Sequence, residues 1–270
     1  MYEELTEKAR QIRKDIVIMT NKAGSGHPGG SLSSVEVFTA LYGEIMKHDP
    51  KNPKWEDRDY FILCKGHITP GYYSALARFG YFDPEELLTF RKMGSRLQGH
   101  PAPNYLPGVE MSGGSLGQNA SISTGLALGL KKLGKKNRVY ALSSEGEIQE
   151  GQTWEATMAA AHYRLDNLCL TIDYNNLQID GWAEDVMGVA PIADKFAAFN
   201  WHVIECDGHN LGELINAYKK AETLKDRPTV VIAKTIKGKG ISFMENVAGW
   251  HGKAPNDEEL KQDLTVLDGA

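Results

Sequence analysis

Two stretches decide the fold: VYALSSEGE at residues 139–147 and CLTIDYNN at residues 169–176. Each is a short apolar run with the composition of a β-strand, and each ends abruptly in oxygen-bearing side chains. Residues 153–163 between them have the length and residue types of a crossover helix. We therefore predict a β-α-β unit with parallel strands. Ligands of such sheets lie at the carboxyl ends of the strands, where Glu145 and Asn175 would face one crevice.

The side chains at these strand ends are suited to a metal ion. Glu145 offers a carboxylate and Asn175 an amide oxygen, which are hard ligands of the kind that Mg²⁺ takes together with diphosphate oxygens and water. The alternative is purely structural. Glu145 would then be the acidic N-cap of a helix, and Asn175 with Asn176 would form a turn.

Length and composition limit the kind of protein this chain can be. With 270 residues and 41% hydrophobic content, the chain has enough apolar material for one substantial core, and we expect residues 1–270 to form a single α/β domain. The formal net charge of −5 and the pI of about 5.9 favour neither nucleic acid nor an anionic membrane as partner. We see no signal peptide and no run of about twenty apolar residues, which indicates a soluble cytoplasmic protein. Three cysteines without metal-binding spacing are expected to be reduced core residues: Cys64, Cys169 and Cys206.

Strand-like runs alternate with helical stretches along the chain. The runs begin at Tyr60, Val139, Cys169, Trp201 and Thr229. This alternation predicts an α/β fold, a doubly wound and mostly parallel sheet flanked by helices.

Other segments have a different character. Apolar residues at helical spacing predict a first helix across residues 5–19, and a glycine-rich loop at 24–31 precedes a second helix at 35–45. Residues 94–114 show no period, and long irregular connections inside compact domains are usually functional. Residues 257–270 are polar and are expected to form an edge or a frayed tail.

Seven motifs occur in a fixed order between about residue 10 and about residue 256. They are GSGHPGG at 24–30, KGH at 65–67, QGHP at 98–101, SLGQ at 115–118, SEGE at 144–147 with NN at 175–176, KGKGISF at 237–243 and WHG at 250–252. The pair SEGE and NN resembles the thiamine-diphosphate motif, in which Gly-Asp-Gly is followed by Asn-Asn about thirty residues on. The other motifs resemble those of the transketolase family. The resemblance implies a thiamine-diphosphate-binding fold and, within it, the domain that binds the diphosphate.

The resemblance also implies a metal site. Glu145, Asn175 and the backbone carbonyl of Leu177 would bind Mg²⁺, with Ca²⁺ or Mn²⁺ as substitutes. The family usually has aspartate where Glu145 stands and glycine where Ser144 stands. The extra methylene moves the carboxylate outward by about 1.5 Å, so the loop has to adjust to the octahedral distances that Mg²⁺ prefers.

Four histidines lie in glycine-bearing motifs, where imidazole reaches a ligand and titrates near neutrality. By resemblance His67 and His251 contact the cofactor diphosphate, and His251 also faces the substrate. The same resemblance implies that His27 and His100 contact the hydroxyl and carbonyl end of a ketose. The catalytic set is thus His27, His100 and His251. The remaining histidines are interpreted as structural: His48, His162, His202 and His209.

Further cofactor contacts follow from the same resemblance. They are Gly114, Leu116, Gln118, Gly146, Glu147 and Asn175. Asn119 stands where the family commonly has glycine, and asparagine tolerates left-handed backbone better than most residues. Lys237 and Lys239 either pair with phosphate or form a solvated basic turn, and the sequence leaves both interpretations open.

The resemblance assigns this chain to one half of an enzyme. In the family a glutamate on a second, pyrimidine-binding domain activates the cofactor, and that domain would need about 300 further residues. The chain therefore resembles the N-terminal subunit of a split transketolase, active only with a separate C-terminal subunit in an α₂β₂ heterotetramer. The reaction would transfer a two-carbon ketol unit from a ketose phosphate to an aldose, as in the pentose phosphate pathway.

Two alternatives remain at this point. One is half of another thiamine-diphosphate enzyme, either a deoxyxylulose-phosphate synthase or the α subunit of a 2-oxoacid dehydrogenase. The other is a degenerate subunit that only binds a partner or a nucleotide-like ligand, which Ser144 and Glu145 would mark.

Overall fold

The computed structural model describes residues 2–269, and its central feature is a five-stranded parallel sheet in the order β1-β2-β3-β5-β4. The strands are Tyr60–Leu63 (β1), Val139–Ser144 (β2), Leu168–Tyr174 (β3), His202–Asp207 (β4) and Thr229–Lys234 (β5). Ser144 pairs with Asp173, so β2 and β3 end at the same edge, and residues 145 and 175 emerge side by side. The predicted α/β fold with a parallel sheet is confirmed.

Helices cover both faces of the sheet. They are Glu3–Ala23 (α1), Pro28–Ser33 (α2), Val35–Ala40 (α3), Thr69–Arg78 (α4), Gln118–Lys132 (α5), Gly151–His162 (α6), Ala183–Met187 (α7), Ile192–Ala198 (α8), Leu211–Thr223 (α9) and Asp257–Asp268 (α10). Successive residues of the central strands face opposite sides. Tyr140 and Leu142 join one core with α1 and α9, while Val139 and Ala141 join the other with α5 and α6. Strands buried on both faces are typical of parallel sheets.

Two details differ from the sequence-based expectation near the N-terminus. The segment expected to be a glycine-rich loop across 24–31 already turns helical at Pro28, where α2 begins, and the second helix expected at 35–45 consists of α3 and a π-helical turn, Leu41–Ile45. Proline is favoured at the first position of a helix because its missing N–H has no partner there. Gly24 ends α1 in the left-handed conformation with φ of 63°, which glycine adopts without strain.

The C-terminal segment was predicted as a polar tail, and this is wrong for residues 257–268, which form α10. The side chain of Asn256 accepts hydrogen bonds from the backbone N–H groups of Glu258 and Glu259, and the Glu259 carboxylate accepts from the N–H of Asn256. This capping box starts the helix. Leu260, Leu264 and Leu267 then pack it against the core. No helix among residues 2–269 is long and apolar enough to cross a membrane.

One buried acid in α10 leads to a prediction about pH. Asp263 is inaccessible to solvent, and neither of its carboxylate oxygens has a hydrogen-bond partner within residues 2–269. Burial, with Glu259 adding to it, raises the pKa of Asp263 from 3.8 to about 7. The folded state therefore holds a proton that the unfolded state releases between these values, and stability falls as the pH rises through this window.

We expect Asp263→Asn to flatten this decline. Relative to the parent chain, the Tm of the variant should rise by roughly 2–4 °C between pH 5 and pH 8, measured by thermal unfolding at both values. Glu258→Gln, an exposed acid on the same helix, is the matched control. An unchanged pH dependence in Asp263→Asn would contradict the assignment.

Candidate active site

A cavity of about 380 Å³ opens at the carboxyl ends of β2 and β3. Most residues predicted from the sequence line it, although they come from distant parts of the chain. They are His27, His67, Gly114, Leu116, Glu145, Gly146, Glu147, Asn175, Leu177 and His251. Gln118 is exposed at the start of α5, and His100 is exposed at the rim, where its ring lies against Gly114.

Asp173, the penultimate residue of β3, organises the floor of the cavity. Its carboxylate is fully buried and forms an ion pair with the buried ammonium of Lys65. It also accepts hydrogen bonds from the hydroxyls of Ser33 at 2.6 Å, Ser34 at 3.2 Å and Thr235. Burial alone would raise the pKa of Asp173, but Lys65 and these donors hold it below its usual value. Sequence analysis missed this residue, although a charged side chain inside a strand buried on both faces was a signal.

Asp173 also fixes the orientation of Asn175. The amide Nδ2 of Asn175 donates to Asp173 Oδ2 at 3.2 Å, which turns the carbonyl oxygen Oδ1 the other way. There Oδ1 accepts from the N–H of Leu177 at 3.2 Å, and Glu145 Oε1 accepts from the same N–H at 3.2 Å. The carboxylate and the amide oxygen therefore converge on one point. Glu145 caps no helix, so the alternative that made it the N-cap of a helix is wrong.

This donor set fits a divalent cation. Within residues 2–269 no three His, Cys, Asp or Glu side chains are grouped as metal ligands, so one carboxylate, one amide oxygen and the Leu177 carbonyl are what the loops offer. Such all-oxygen sets favour Mg²⁺, Ca²⁺ or Mn²⁺. Burial, together with the nearby charge of Asp173, raises the pKa of Glu145 to about 7. A cation bound beside this buried carboxylate would stabilise its charged form.

Glu147 supports the neighbouring loop. Its carboxylate accepts from the backbone N–H of Gly117 at 3.0 Å and from the hydroxyl of Ser143 at 2.7 Å. Asn119, which stands where the family commonly has glycine, lies in the first turn of α5. Its side-chain amide donates to the carbonyls of Leu63 at 2.8 Å and Ser112 at 3.1 Å. The segment that carries Gly114 and Leu116 is thus tied to the strand ends on both sides.

Three histidines form a triangle above the floor. The ring centroids of His27 and His67 are 5.1 Å apart, those of His27 and His251 5.4 Å, and those of His67 and His251 5.1 Å. Burial, with the charge of Arg91 adding to it, lowers the pKa of His27 to about 4. Burial, with the charge of Lys237 adding to it, lowers the pKa of His251 to about 3. The pKa of His67 is also well below 6.5, mainly because the ring is buried. At neutral pH the cavity therefore presents neutral imidazoles, which donate or accept hydrogen bonds without carrying charge.

Lys237 is buried in this cavity, so the solvated basic turn does not describe it. Its ammonium donates to the carbonyl of Leu177 at 2.7 Å and to Nδ1 of His251 at 2.9 Å. His251 must then carry its proton on Nε2. Gly238 next to it has φ of +80°, and a Cβ there would lie 2.5 Å from the carbonyl oxygen of Met244, so this loop needs glycine. Lys239 is less buried and pairs with Glu245 at 3.4 Å.

Removal of the Lys237 charge should be visible at His251. We expect Lys237→Met to raise the pKa of His251 from about 3 by roughly one unit, since burial persists while the adjacent cation is lost. The Hε1 proton of His251, followed by NMR against pH, measures this value. Lys239→Met, which removes a cation from the same loop, is the control. A His251 pKa that does not move would contradict the observed contact.

A larger cleft of about 730 Å³ lies elsewhere, beside α1 and the end of β4. Of the residues considered as ligand contacts in the sequence, only Lys239 lines it. Its buried charges satisfy one another: Arg13 pairs with Glu36 at 2.5 Å, and His209 Nδ1 lies 3.1 Å from the same carboxylate. His209 Nε2 accepts from the N–H of Ile236 at 2.8 Å, so this histidine supports the loop that carries Lys237.

Fold and site together define a class of protein. A parallel α/β sheet that gathers oxygen ligands, neutral histidines and a buried lysine at its strand ends is suited to a diphosphate bound through a divalent cation. The family described as transketolase, thiamine diphosphate binding domain, matches residues 3–267. The chain belongs to the transketolase family and corresponds to the N-terminal half of a transketolase, which confirms the resemblance seen in the motifs.

Individual relatives give the same result. The chain is 40% identical over 267 residues to an apulose-4-phosphate transketolase subunit of Actinobacillus succinogenes, covering 98% of this chain and 96% of the relative. It is 41% identical over 265 residues to the 6-deoxy-6-sulfo-D-fructose transketolase subunit SqwG of a Clostridium species, covering 98% and 96%.

Solved structures agree in fold. The transketolase of Leishmania mexicana superposes with a TM-score of 0.94 at 28% identity, covering 98% of this chain and 41% of that one. The transketolase of Campylobacter jejuni superposes with a TM-score of 0.93 at 32% identity, covering 98% and 43%. The chain thus spans about two fifths of the length of these solved transketolases.

Proposed function

We propose that this chain is the cofactor-binding subunit of a transketolase that moves a two-carbon ketol unit from a ketose phosphate to an aldose. The observation that carries the proposal is the convergence of Glu145, Asn175, Leu177 and the histidine triangle on one cavity at the strand ends. The two relatives named as transketolase subunits have nearly the length of this chain. This favours residues 1–270 as one diphosphate-binding domain that works with a separate C-terminal subunit.

The cofactor we propose is thiamine diphosphate with Mg²⁺, replaceable by Ca²⁺ or Mn²⁺. Glu145, Asn175 Oδ1 and the Leu177 carbonyl would hold the metal. The diphosphate and ring contacts would come from His67, Gly114, Leu116, Gln118, Gly146, Glu147, Asn175, Lys237 and His251. When bound, the cofactor supplies a carbon nucleophile and an electron sink.

The chain's own residues would orient the sugar and handle protons. His27, His100 and His251 are the proposed catalytic residues, because neutral imidazoles donate to carbonyl oxygens and accept from hydroxyls. His251 holds a proton on Nε2, since Nδ1 already accepts from Lys237.

The partner would complete the site. We propose a C-terminal subunit that contributes the pyrimidine-binding domain and the activating glutamate, in a cytoplasmic α₂β₂ heterotetramer. The sugar is less defined, because one relative is named for apulose 4-phosphate and another for 6-deoxy-6-sulfo-D-fructose. Both relatives are transketolases, which favours ketol transfer over the pyruvate-dependent reaction of a synthase. The intact donor set and histidine triangle disfavour a degenerate subunit.

The test is transketolase activity of the chain alone and mixed with its C-terminal subunit, with thiamine diphosphate and Mg²⁺ present. Activity is expected only in the mixture. Pyruvate-dependent carboligation in place of ketol transfer, or a stable complex that neither binds the cofactor nor turns over, would contradict the proposal.

A further inference from the structure

Lys237 is held in the cavity by uncharged groups. Among residues 2–269 its ammonium forms no ion pair and donates to two neutral acceptors, the carbonyl of Leu177 at 2.7 Å and Nδ1 of His251 at 2.9 Å. The residue is 3% exposed, and burial, opposed in part by the charge of Glu145, lowers its pKa to about 8. Because neither acceptor carries a charge, the place of the ammonium depends closely on the backbone that carries it.

Three side chains outside the cavity hold that backbone on both sides of the lysine. Before it, the N–H of Ile236 donates to Nε2 of His209 at 2.8 Å. After it, the carbonyl of Lys239 accepts from Nε of Arg13 at 3.1 Å. Glu36 joins the two, since its carboxylate lies 2.5 Å from Nη2 of Arg13 and 3.1 Å from Nδ1 of His209. The loop is thus anchored at two points to one connected group of side chains.

The contacts of His209 fix the position of its proton. Nε2 accepts from a backbone N–H and so carries no hydrogen, which leaves Nδ1 as the donor to Glu36. Burial alone would raise the pKa of Glu36, but Arg13 and His209 hold it below its usual value, so the acceptor is a carboxylate. With that carboxylate held by Arg13, the imidazole has one orientation in which both of its nitrogens are paired.

We propose that these three side chains form a positioning unit for Lys237, in which His209 sets the loop through its backbone contact. Arg13, Glu36 and His209 line the neighbouring cleft, whereas Lys237 lines the cavity itself, so the unit acts through the loop between them. Its effect is to keep Lys237 against Nδ1 of His251, which leaves the Nε2–H of that histidine available to a ligand. The proposal rests on the proposed function for the identity of this ligand, the diphosphate of the cofactor.

Two substitutions separate the contacts of His209. In His209→Gln the side-chain carbonyl can replace Nε2 and accept from Ile236, while the contact with Glu36 is lost. In His209→Asn the shorter amide can replace Nδ1 and donate to Glu36, while the contact with the loop is lost. We therefore expect the glutamine variant to keep Lys237 in place and the asparagine variant to release it. A side chain that only fills space or stabilises the fold would affect both variants alike.

NMR of the imidazole nitrogens of His251, in the chain alone at neutral pH, gives the readout. The parent should show Nδ1 as a hydrogen-bond acceptor and the proton on Nε2. His209→Gln should keep these resonances, and His209→Asn should move them towards those of Lys237→Met. His202→Gln, at the start of β4, is the control and should change nothing. Both His209 variants unchanged, both shifted alike, or a shift confined to the glutamine variant would overturn the proposal.

Binding of thiamine diphosphate by the complex with the C-terminal subunit measures the consequence for the cofactor. With Mg²⁺ present, the Kd should rise roughly tenfold in His209→Asn, as expected when one hydrogen bond to a charged group is lost, and less than about twofold in His209→Gln. Equal affinities of the two variants would overturn the role of the positioning unit in cofactor binding. A parent complex that binds no cofactor would refute the proposed function and leave the NMR result standing.

Discussion

Asp173→Asn is expected to destabilise the chain by about 3–5 kcal/mol, the range seen when one partner of a buried ion pair is removed. The Lys65 side chain is 2% exposed, and its ammonium would lose its counter-charge. The new amide group would also face hydroxyl donors from Ser33 and Thr235 that now point at a carboxylate. Unfolding by urea, with the free energy extrapolated to water, measures the effect.

Two further variants make this result specific. Lys65→Met combined with Asp173→Asn should recover part of the loss, because no uncompensated charge remains. Asp166→Asn breaks the more exposed pair with Lys131 and should cost no more than about 1 kcal/mol. If Asp173→Asn costs no more than Asp166→Asn, the network around Asp173 does not hold the site together.

The second large effect concerns Glu145. With Mg²⁺ present, Glu145→Ala should weaken the binding of thiamine diphosphate at least about 100-fold, because the carboxylate is the one charged group in the proposed ligand set. Calorimetric titration of the complex with its C-terminal subunit measures this. Glu145→Asp, which restores the usual family residue, should stay within about tenfold of the parent.

Glu145→Gln separates metal binding from folding. The two carboxylate oxygens accept from different N–H groups, Oε1 from Leu177 at 3.2 Å and Oε2 from Asn175 at 3.4 Å. The single amide oxygen of Gln keeps the first contact and gives up the longer second one, so the free energy of unfolding of the unloaded variant should fall by no more than about 1 kcal/mol. Cofactor binding should nonetheless fall as in Glu145→Ala. A variant that retains full metal-dependent affinity would show that Glu145 is not a ligand.

How much of the site could be predicted from the sequence depended on how far apart along the chain the interacting residues lie. Glu145 and Asn175 follow two neighbouring parallel strands, so pairing of those strands is enough to bring them together. The partners of Asp173 come from residues 33–34, 65 and 235, and no local pattern links such distant segments. Lys237 is a similar case, since its burial depends on contacts with Leu177 and His251 that only the folded chain creates.

Two sequence-based predictions of secondary structure were wrong for local reasons. The acidic residues of α10 concealed the leucines at 260, 264 and 267, although Asn256 followed by Glu259 was a readable capping box. The helix that starts at Pro28 was assigned to a loop because the glycines around it outweighed the proline signal.

The strand order also constrains how the chain can be made. Of these five strands, β5 is the last to leave the ribosome, yet it lies inside the sheet between β3 and β4. Until residues 229–234 emerge, one edge of β3 stays unpaired, and β4 has no neighbour to pair with. Open apolar edges of this kind invite pairing between nascent chains. Synthesis of this sheet therefore passes through an interval in which the edge of β3 is exposed, and the interval ends when β5 inserts and brings Lys237 into the cavity behind it.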